Sequence, residues 1–308
     1  MRPSARDDRA RCAALDREPT TNGGRRPDSR VAQAELPTLG VGIGYRSAFA
    51  GELLLQQKRV DFLEIVADHY LDANAERRAE LARLRGLFTL VPHALDLSLG
   101  GVEGPDPRYL EQLAALIELV EPPWWSEHIA FTRAGGVSIG HLAPLPCTNA
   151  ALDQLCANIE RVRAVIHRPL VLENVTYVID LPSREMDDAT FIARLLEASD
   201  CGLLLDVTNL FINARNHGFD ATDFLDALPP ERVVQLHFVG AKRRGSQWVD
   251  SHADPVNEEI WQLLGEVMRR FPVKGAILER DANWPRFAEL AGELERARAL
   301  GREAGRWS

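Results

Sequence analysis

Thiols are scarce in this chain. Its 308 residues include four cysteines, Cys12, Cys147, Cys156 and Cys201. No two are spaced as a CxxC pair, which argues against a thiolate zinc site and against a disulfide framework. That usage fits a reducing cytoplasm, with Cys147, Cys156 and Cys201 read as small buried residues, not nucleophiles. Long apolar runs are missing as well, and none could cross a bilayer. Positive charge is in the minority, with 36 Lys and Arg against 45 Asp and Glu and a net charge of −9. Nucleic acid is therefore not expected as a partner, because phosphate binding calls for a basic face. A complete GxGxxG is absent too: in "GVGIGYRS" Tyr45 and Ser47 stand where a third glycine would be needed, so a Rossmann reading has little support.

The first 37 residues have few large apolar side chains and are rich in Arg, Asp, Pro and Gly. They lack the apolar core of a secretory signal, and Arg25-Arg26 is followed by "PDSRVAQ", not the apolar run of a twin-arginine signal. Residues 1–37 are expected to be a disordered N-terminal extension, followed by a single catalytic domain over residues 38–303.

What the chain does have is a repeating alternation. Eight short apolar runs, at 39–45, 60–66, 87–93, 124–131, 169–175, 202–207, 232–239 and 275–280, are mostly rich in Val, Ile and Leu and do not alternate in polarity. Parallel strands buried on both faces read this way. Helical periodicity fills the intervals, as in 106–120, 148–166, 187–199, 220–228, 255–271 and 284–300. The pattern predicts an α/β fold, a (β/α)8 TIM barrel, with a doubly wound open sheet as the alternative.

The apolar runs share an unusual ending. "GLLLDVTNLFINARNHGFD" passes from apolar residues into Asp206, followed by Asn209, Asn213 and His217. Glu64, His93, Glu127-His128, Glu173-Asn174, His237 and Glu279 lie in or end other runs, with Asp281 two residues beyond the last. In "WVDSHADP" Asp250 and His252 follow the seventh. In a barrel these ends open at one mouth, where barrel enzymes do their chemistry. So many carboxylates raise one another's pKa or require a cation. Imidazoles and amides among them, without thiolates, suit a metal held by N and O atoms. The candidates outnumber the ligands of one ion, so two or three ions are expected. His69 and His141 face either the mouth or solvent, and His167 reads as structural at a helix C-terminus. Trp124, Trp125 and Trp248 read as core residues, with a substrate cleft as the alternative.

"LSLGG" after His93, "SEHIAF", "PLPCT", "LENVTYV", "LLLDVTNLFINARNHGFDA", "LHFVGAKR", "VDSHADPV" and "LERDANWP" resemble, in order, the motifs of the multinuclear non-haem iron-dependent oxidative enzymes, the family of the methanobactin-biosynthesis oxidase. The resemblance covers residues 39–290 and implies a xylose-isomerase-like barrel holding two or three irons. It further implies O2 as co-substrate and oxidation of a ribosomally made precursor peptide, often at cysteine. A small leader-peptide-recognition partner protein is implied beside it. By position, His93, Glu127, Asn174, Asp206, His237, Asp250, His252 and Glu279 would ligate iron, with Glu127 as a bridging carboxylate. His69, His141, Glu64, Glu173, Asn209, His217 and Asp281 are candidates for further metal or substrate contacts. Val66 and Ala241 stand where many relatives have histidine. A redox-neutral divalent-metal isomerase or hydrolase on the same kind of barrel is the rival expectation.

Overall fold

The computed structural model describes residues 36–308 apart from Pro182. Most of the expected extension at residues 1–37 therefore lies outside the described residues. In chain order the elements are β1 (Gly40–Gly44), α1 (Ala50–Leu55), β2 (Leu63–Val66), α2 (Ala75–Arg85), β3 (Leu90–His93), α3 (Pro107–Val120) and β4 (Trp125–His128). A hairpin of β5 (Ala130–Ala134) and β6 (Val137–Pro144) precedes α4 (Asn149–Arg163), β7 (Leu170–Glu173), α5 (Asp188–Ser199), β8 (Gly202–Asp206), α6 (Val207–His217) and α7 (Ala221–Asp226). Then come β9 (Val233–Phe238), a second hairpin of β10 (Gly240–Arg244) and β11 (Gln247–Asp254), α8 (Glu258–Arg270), β12 (Gly275–Leu278) and α9 (Phe287–Glu303).

Eight strands close into a parallel barrel in the order β1-β12-β9-β8-β7-β4-β3-β2. Each of the eight apolar runs supplies one of them, so the expected barrel is the observed one. Side chains alternate between two environments along each strand. Outward positions such as Leu63, Ile65, Leu172, Leu203, Leu205 and Leu278 join the large core beneath the helices. Inward positions low in the barrel form a separate plug of Phe62, Val91, Trp124, Val171, Leu204, Val234 and Ile277, with Leu36 and Leu39 packed against it. Glycine makes room for the plug, because a Cβ on Gly42 would overlap the Phe62 carbonyl oxygen. Two residues above the plug, the inward positions turn polar: Val91 leads to His93, Val171 to Glu173, Leu204 to Asp206 and Ile277 to Glu279.

Helix starts follow their caps. Asp106 accepts from Tyr109 N at 2.9 Å ahead of Pro107 at the first turn. Thr148 accepts from Ala151 N at 3.1 Å. Such caps satisfy amides that a helix leaves unpaired. Trp124 and Trp125 are fully buried, as core residues should be.

Candidate metal centre

Register brings the polar strand ends into contact. His128 pairs with Glu173 across β4 and β7, and Asp206 with His237 across β8 and β9. The result is three groups of ligand-type atoms: His93, His128 and Glu173; Glu173, Asp206, His237 and Glu279; and His252, Glu279 and Asp281. Within each group the ligand atoms lie within 4.8 Å of one another. Glu173 belongs to the first two groups and Glu279 to the last two, so the groups form one chain across the mouth.

Each imidazole is held by one nitrogen and offers the other. His93 Nδ1 lies 2.7 Å from Ser126 Oγ, and its Nε2 is 3.3 Å from Glu173 Oε2. His128 Nδ1 lies 3.2 Å from Glu127 Oε1, and its Nε2 also reaches Glu173 Oε2 at 3.3 Å. His237 Nε2 meets Glu64 Oε2 at 2.8 Å, leaving Nδ1 3.3 Å from Glu173 Oε1 and 3.2 Å from Glu279 Oε2. His252 Nε2 is held by Asp250, and its Nδ1 lies 3.3 Å from Asp281 Oδ2 and 3.5 Å from Glu279 Oε2. A partner on one nitrogen fixes the tautomer and aims the lone pair of the other, which is how metal-binding histidines are oriented.

The support for His237 runs deep into the barrel. Trp124 Nε1 donates to Gln235 Oε1 at 2.6 Å, and Gln235 Nε2 donates to Glu64 Oε2 at 2.7 Å. Trp124, Gln235 and His237 are completely buried and Glu64 nearly so. Buried polar groups linked in this way hold one geometry, because breaking any bond leaves an unpaired group.

Helix α6 ties the mouth loops down with a row of amides. Asp206 caps it by accepting from Asn209 N at 2.7 Å. Asn209 Nδ2 donates to Asn174 O at 3.0 Å, and Asn213 Nδ2 to Val175 O at 2.9 Å. Asn216 both donates to Trp248 O and accepts from Trp248 N, each at 2.8 Å, which clamps the β10–β11 hairpin carrying Asp250 and His252. His217 ends the row, its Nε2 2.9 Å from Tyr177 O and its ring stacked on Tyr177.

Charge explains the titration shifts. The carboxylates Glu64, Glu127, Glu173, Asp206, Asp250, Glu279 and Asp281 outnumber the imidazoles His93, His128, His237 and His252 by seven to four. Burial and then Glu173, Asp250 and Glu279 push Asp206 well above the usual carboxylate range. Burial works against the charge on Glu173 and Glu279, yet the neighbouring imidazoles bring both below their ordinary value, Glu279 well below. Burial opposes protonation of His128 and His252 too, but Glu173 and Glu127 raise the first to about 9, and Glu279 and Asp250 push the second up to about 12. His93, buried beside His128, is lowered. A cation would supply the charge this arrangement lacks. The fit extends to single atoms: Glu173 Oε2, His237 Nδ1 and His252 Nδ1 are buried without a hydrogen-bond partner, and all three face the groups described above.

Of the residues expected to ligate iron, His93, Asp206, His237, His252 and Glu279 stand in these groups. Three others do not take that position. Glu127 accepts from Leu97 N at 3.0 Å and His128 N at 2.7 Å, so both its oxygens are engaged behind His128 and it lies outside the three groups. The shared carboxylates are Glu173 and Glu279. Asn174 spends its amide on the Asp206 backbone, accepting from N at 2.8 Å and donating to O at 3.0 Å. Asp250 holds His252 from behind. Glu173 and Asp281, expected as further contacts, are group members, and His128 joins them without having been in the expected ligand set. Glu64 orients His237, and Asn209 has a buried, unpartnered Oδ1. His69 lines a recess beside the mouth, while His141 is exposed on β6 with Nδ1 3.2 Å from Ile139 O. Val66 and Ala241 are buried apolar residues.

A family model described as "RiPP precursor modification enzyme MbnB/TglH/ChrH" matches residues 40–302. A UPF0276 protein of Streptomyces avermitilis is 38% identical over 277 residues, covering 88% of this chain; the chain spans 56% of that protein's length. A UPF0276 protein of Anaeromyxobacter sp. is 35% identical over 259 residues, covering 84% of this chain and 92% of the relative. Among solved structures, the xylose isomerase domain protein from Planctomyces limnophilus aligns over 88% of this chain and 100% of its own, with a TM-score of 0.54 at 14% identity. D-psicose 3-epimerase from Clostridium cellulolyticum H10 aligns over 86% of this chain and 96% of its own, with a TM-score of 0.53 at 11% identity. At such identities the likeness is one of fold.

Proposed function

The chain belongs to the MbnB/TglH/ChrH family of RiPP precursor modification enzymes, and we propose that it is a multinuclear non-haem iron enzyme that uses O2 to oxidise a ribosomally made precursor peptide at cysteine. The observation that carries this reading is the chain of three ligand groups joined through Glu173 and Glu279. Carboxylates shared between neighbouring groups suit two or three ions held side by side, and a donor set of N and O atoms suits iron.

His93, His128, Glu173, Asp206, His237, His252, Glu279 and Asp281 would hold the ions. Bound iron would supply the one-electron chemistry that O2 activation requires. The chain's own residues do the rest. Ser126, Glu127, Glu64 and Asp250 keep the four imidazoles aimed, so no reorganisation is needed when substrate arrives. Asp281, 38% exposed at its side chain, is the group member most open to solvent and marks where the ligand groups meet the outside. The peptide enters from the open mouth, so the reacting thiol and O2 meet already oriented. A small leader-recognition protein presents the peptide. With a net charge of −9 nucleic acid is not proposed as a partner, and no helix among the described residues is long and apolar enough to cross a membrane. We place the reaction in the cytoplasm.

The test is the metal content of anaerobically purified protein, by elemental analysis with Mössbauer spectroscopy, followed by O2 uptake with a cysteine-containing precursor. Two or three irons per chain that react with O2 support the proposal. A single zinc, manganese or magnesium indifferent to O2 overturns it in favour of a redox-neutral isomerase or hydrolase.

A further inference from the structure

Beside the third ligand group lies a recess of about 260 Å³ lined by Tyr45, Arg46, Val66, His69, Tyr70 and Trp284, among others. It communicates with the mouth through Arg46, whose guanidinium pairs with Asp281. Its floor includes Val66, which shares the inward face of β2 with Glu64, one layer further out. Its walls are aromatic and fixed. Trp284 packs edge-to-face on Phe49 at 5.6 Å, and Tyr45 packs on the same ring at 6.5 Å. The hydroxyls of Tyr45 and Tyr70 both donate to Glu80, at 2.7 and 3.2 Å.

The charges around the recess are already paired. Arg46 is matched by Asp281, and Arg77 by Glu80 at 2.9 Å. Burial, with Arg46 and Arg77 nearby, lowers His69 and keeps it neutral. An anion would find no free counter-charge here, whereas a neutral ring would find flat walls and one imidazole for a polar contact. Trp284 remains 38% exposed, so one flat apolar wall of the recess is open to an incoming group.

We propose that this recess binds an aromatic side chain of the peptide, close in sequence to the residue held at the ligand groups, and so sets sequence preference. The proposal rests on the peptide-modifying reading above. Pre-formed apolar walls favour it, since little ordering is needed on binding.

The test is calorimetric titration of the full chain as purified, kept anaerobic, with N-acetyl-Phe-Cys-amide and N-acetyl-Ala-Cys-amide. The Phe compound is expected to bind about tenfold tighter, in keeping with burial of one aromatic side chain. Trp284→Ala, at an exposed position, should bring the ratio near one without weakening the Ala compound. Val66→Phe, which fills the floor, should do the same. Equal affinity of the two compounds for the unaltered protein, or a ratio unchanged in both variants, overturns the recess assignment while leaving the peptide substrate standing. Binding of neither compound counts against the peptide substrate itself and takes the recess with it.

Discussion

Asp206 is at once the last residue of a strand and the cap of a helix, and the two tasks can be separated. Asparagine is as good a cap as aspartate, so Asp206→Asn keeps the acceptor for Asn209 N while removing an ionisable group from a crowded acidic cluster. The carboxylate sits among Glu173, Asp250 and Glu279, which disfavour its ionised form. We expect the metal-free variant to melt no lower than the metal-free parent, and the variant to lose metal by at least tenfold in affinity. Calorimetric melting and competition with a chelator check the two halves. A variant with unchanged metal affinity would remove Asp206 from the ligand set. The same scale explains what was legible in advance. Polar residues at the ends of apolar runs marked the mouth, and five of eight expected ligands stand in the groups. Of the other three, Glu127 and Asn174 follow a parity the sequence already carries, whereas Asp250 shares the parity of His252 and lies outside the groups because its carboxylate holds that ring. Ser126 and His128 share a face, and so do Val171 and Glu173; their neighbours Glu127 and Asn174 must point the other way. Reading the strands two residues at a time adds His128 and Glu173 to the inward set.

At the level of elements, the two hairpins were not foreseen. "AKRRGSQWVDSHAD" has too many charges for a buried strand, and its period-two pattern is weak because a two-stranded ribbon buries little on either face. Gly245, at φ +64°, marks its turn. What makes the β10–β11 ribbon rigid comes from elsewhere: Asn216 clamps Trp248, and Phe211 packs against the indole at 5.0 Å. That long-range pairing has no local signature, although the amide row of α6 supplied the most distinctive stretch of the sequence. Asn216→Ala should release the ribbon at a cost of about 1–3 kcal/mol for the unpaired Trp248 backbone. Amide exchange across residues 247–254 should quicken while the barrel strands keep their protection, and metal lost first should be that at His252. Exchange across residues 247–254 unchanged from the parent would show the clamp to be dispensable.

On the scale of the whole molecule, the barrel spends stability to gather charge. A plug of apolar residues fills the lower lumen, and above it seven carboxylates face four imidazoles in a chain that is already at −9. Removing metal with a chelator should lower the melting temperature, since an ion bound to the folded state stabilises it by mass action. Salt screens repulsion among charges that reach solvent, so raising sodium chloride should recover part of the loss in the stripped protein and little in the loaded one. Scanning calorimetry at low and high salt would check this, and an identical salt response of the two forms would contradict it. The shared carboxylates carry a further consequence. Glu173 and Glu279 each belong to two ligand groups, so an ion in one site fixes a ligand of the next before that site fills. Occupancy of the sites is then thermodynamically linked, and by reciprocity each ion changes its neighbour's affinity by the same factor as the neighbour changes its own. Filling one site would therefore reset the affinity of the next, and the mouth would titrate with metal as one linked system and not as separate sites.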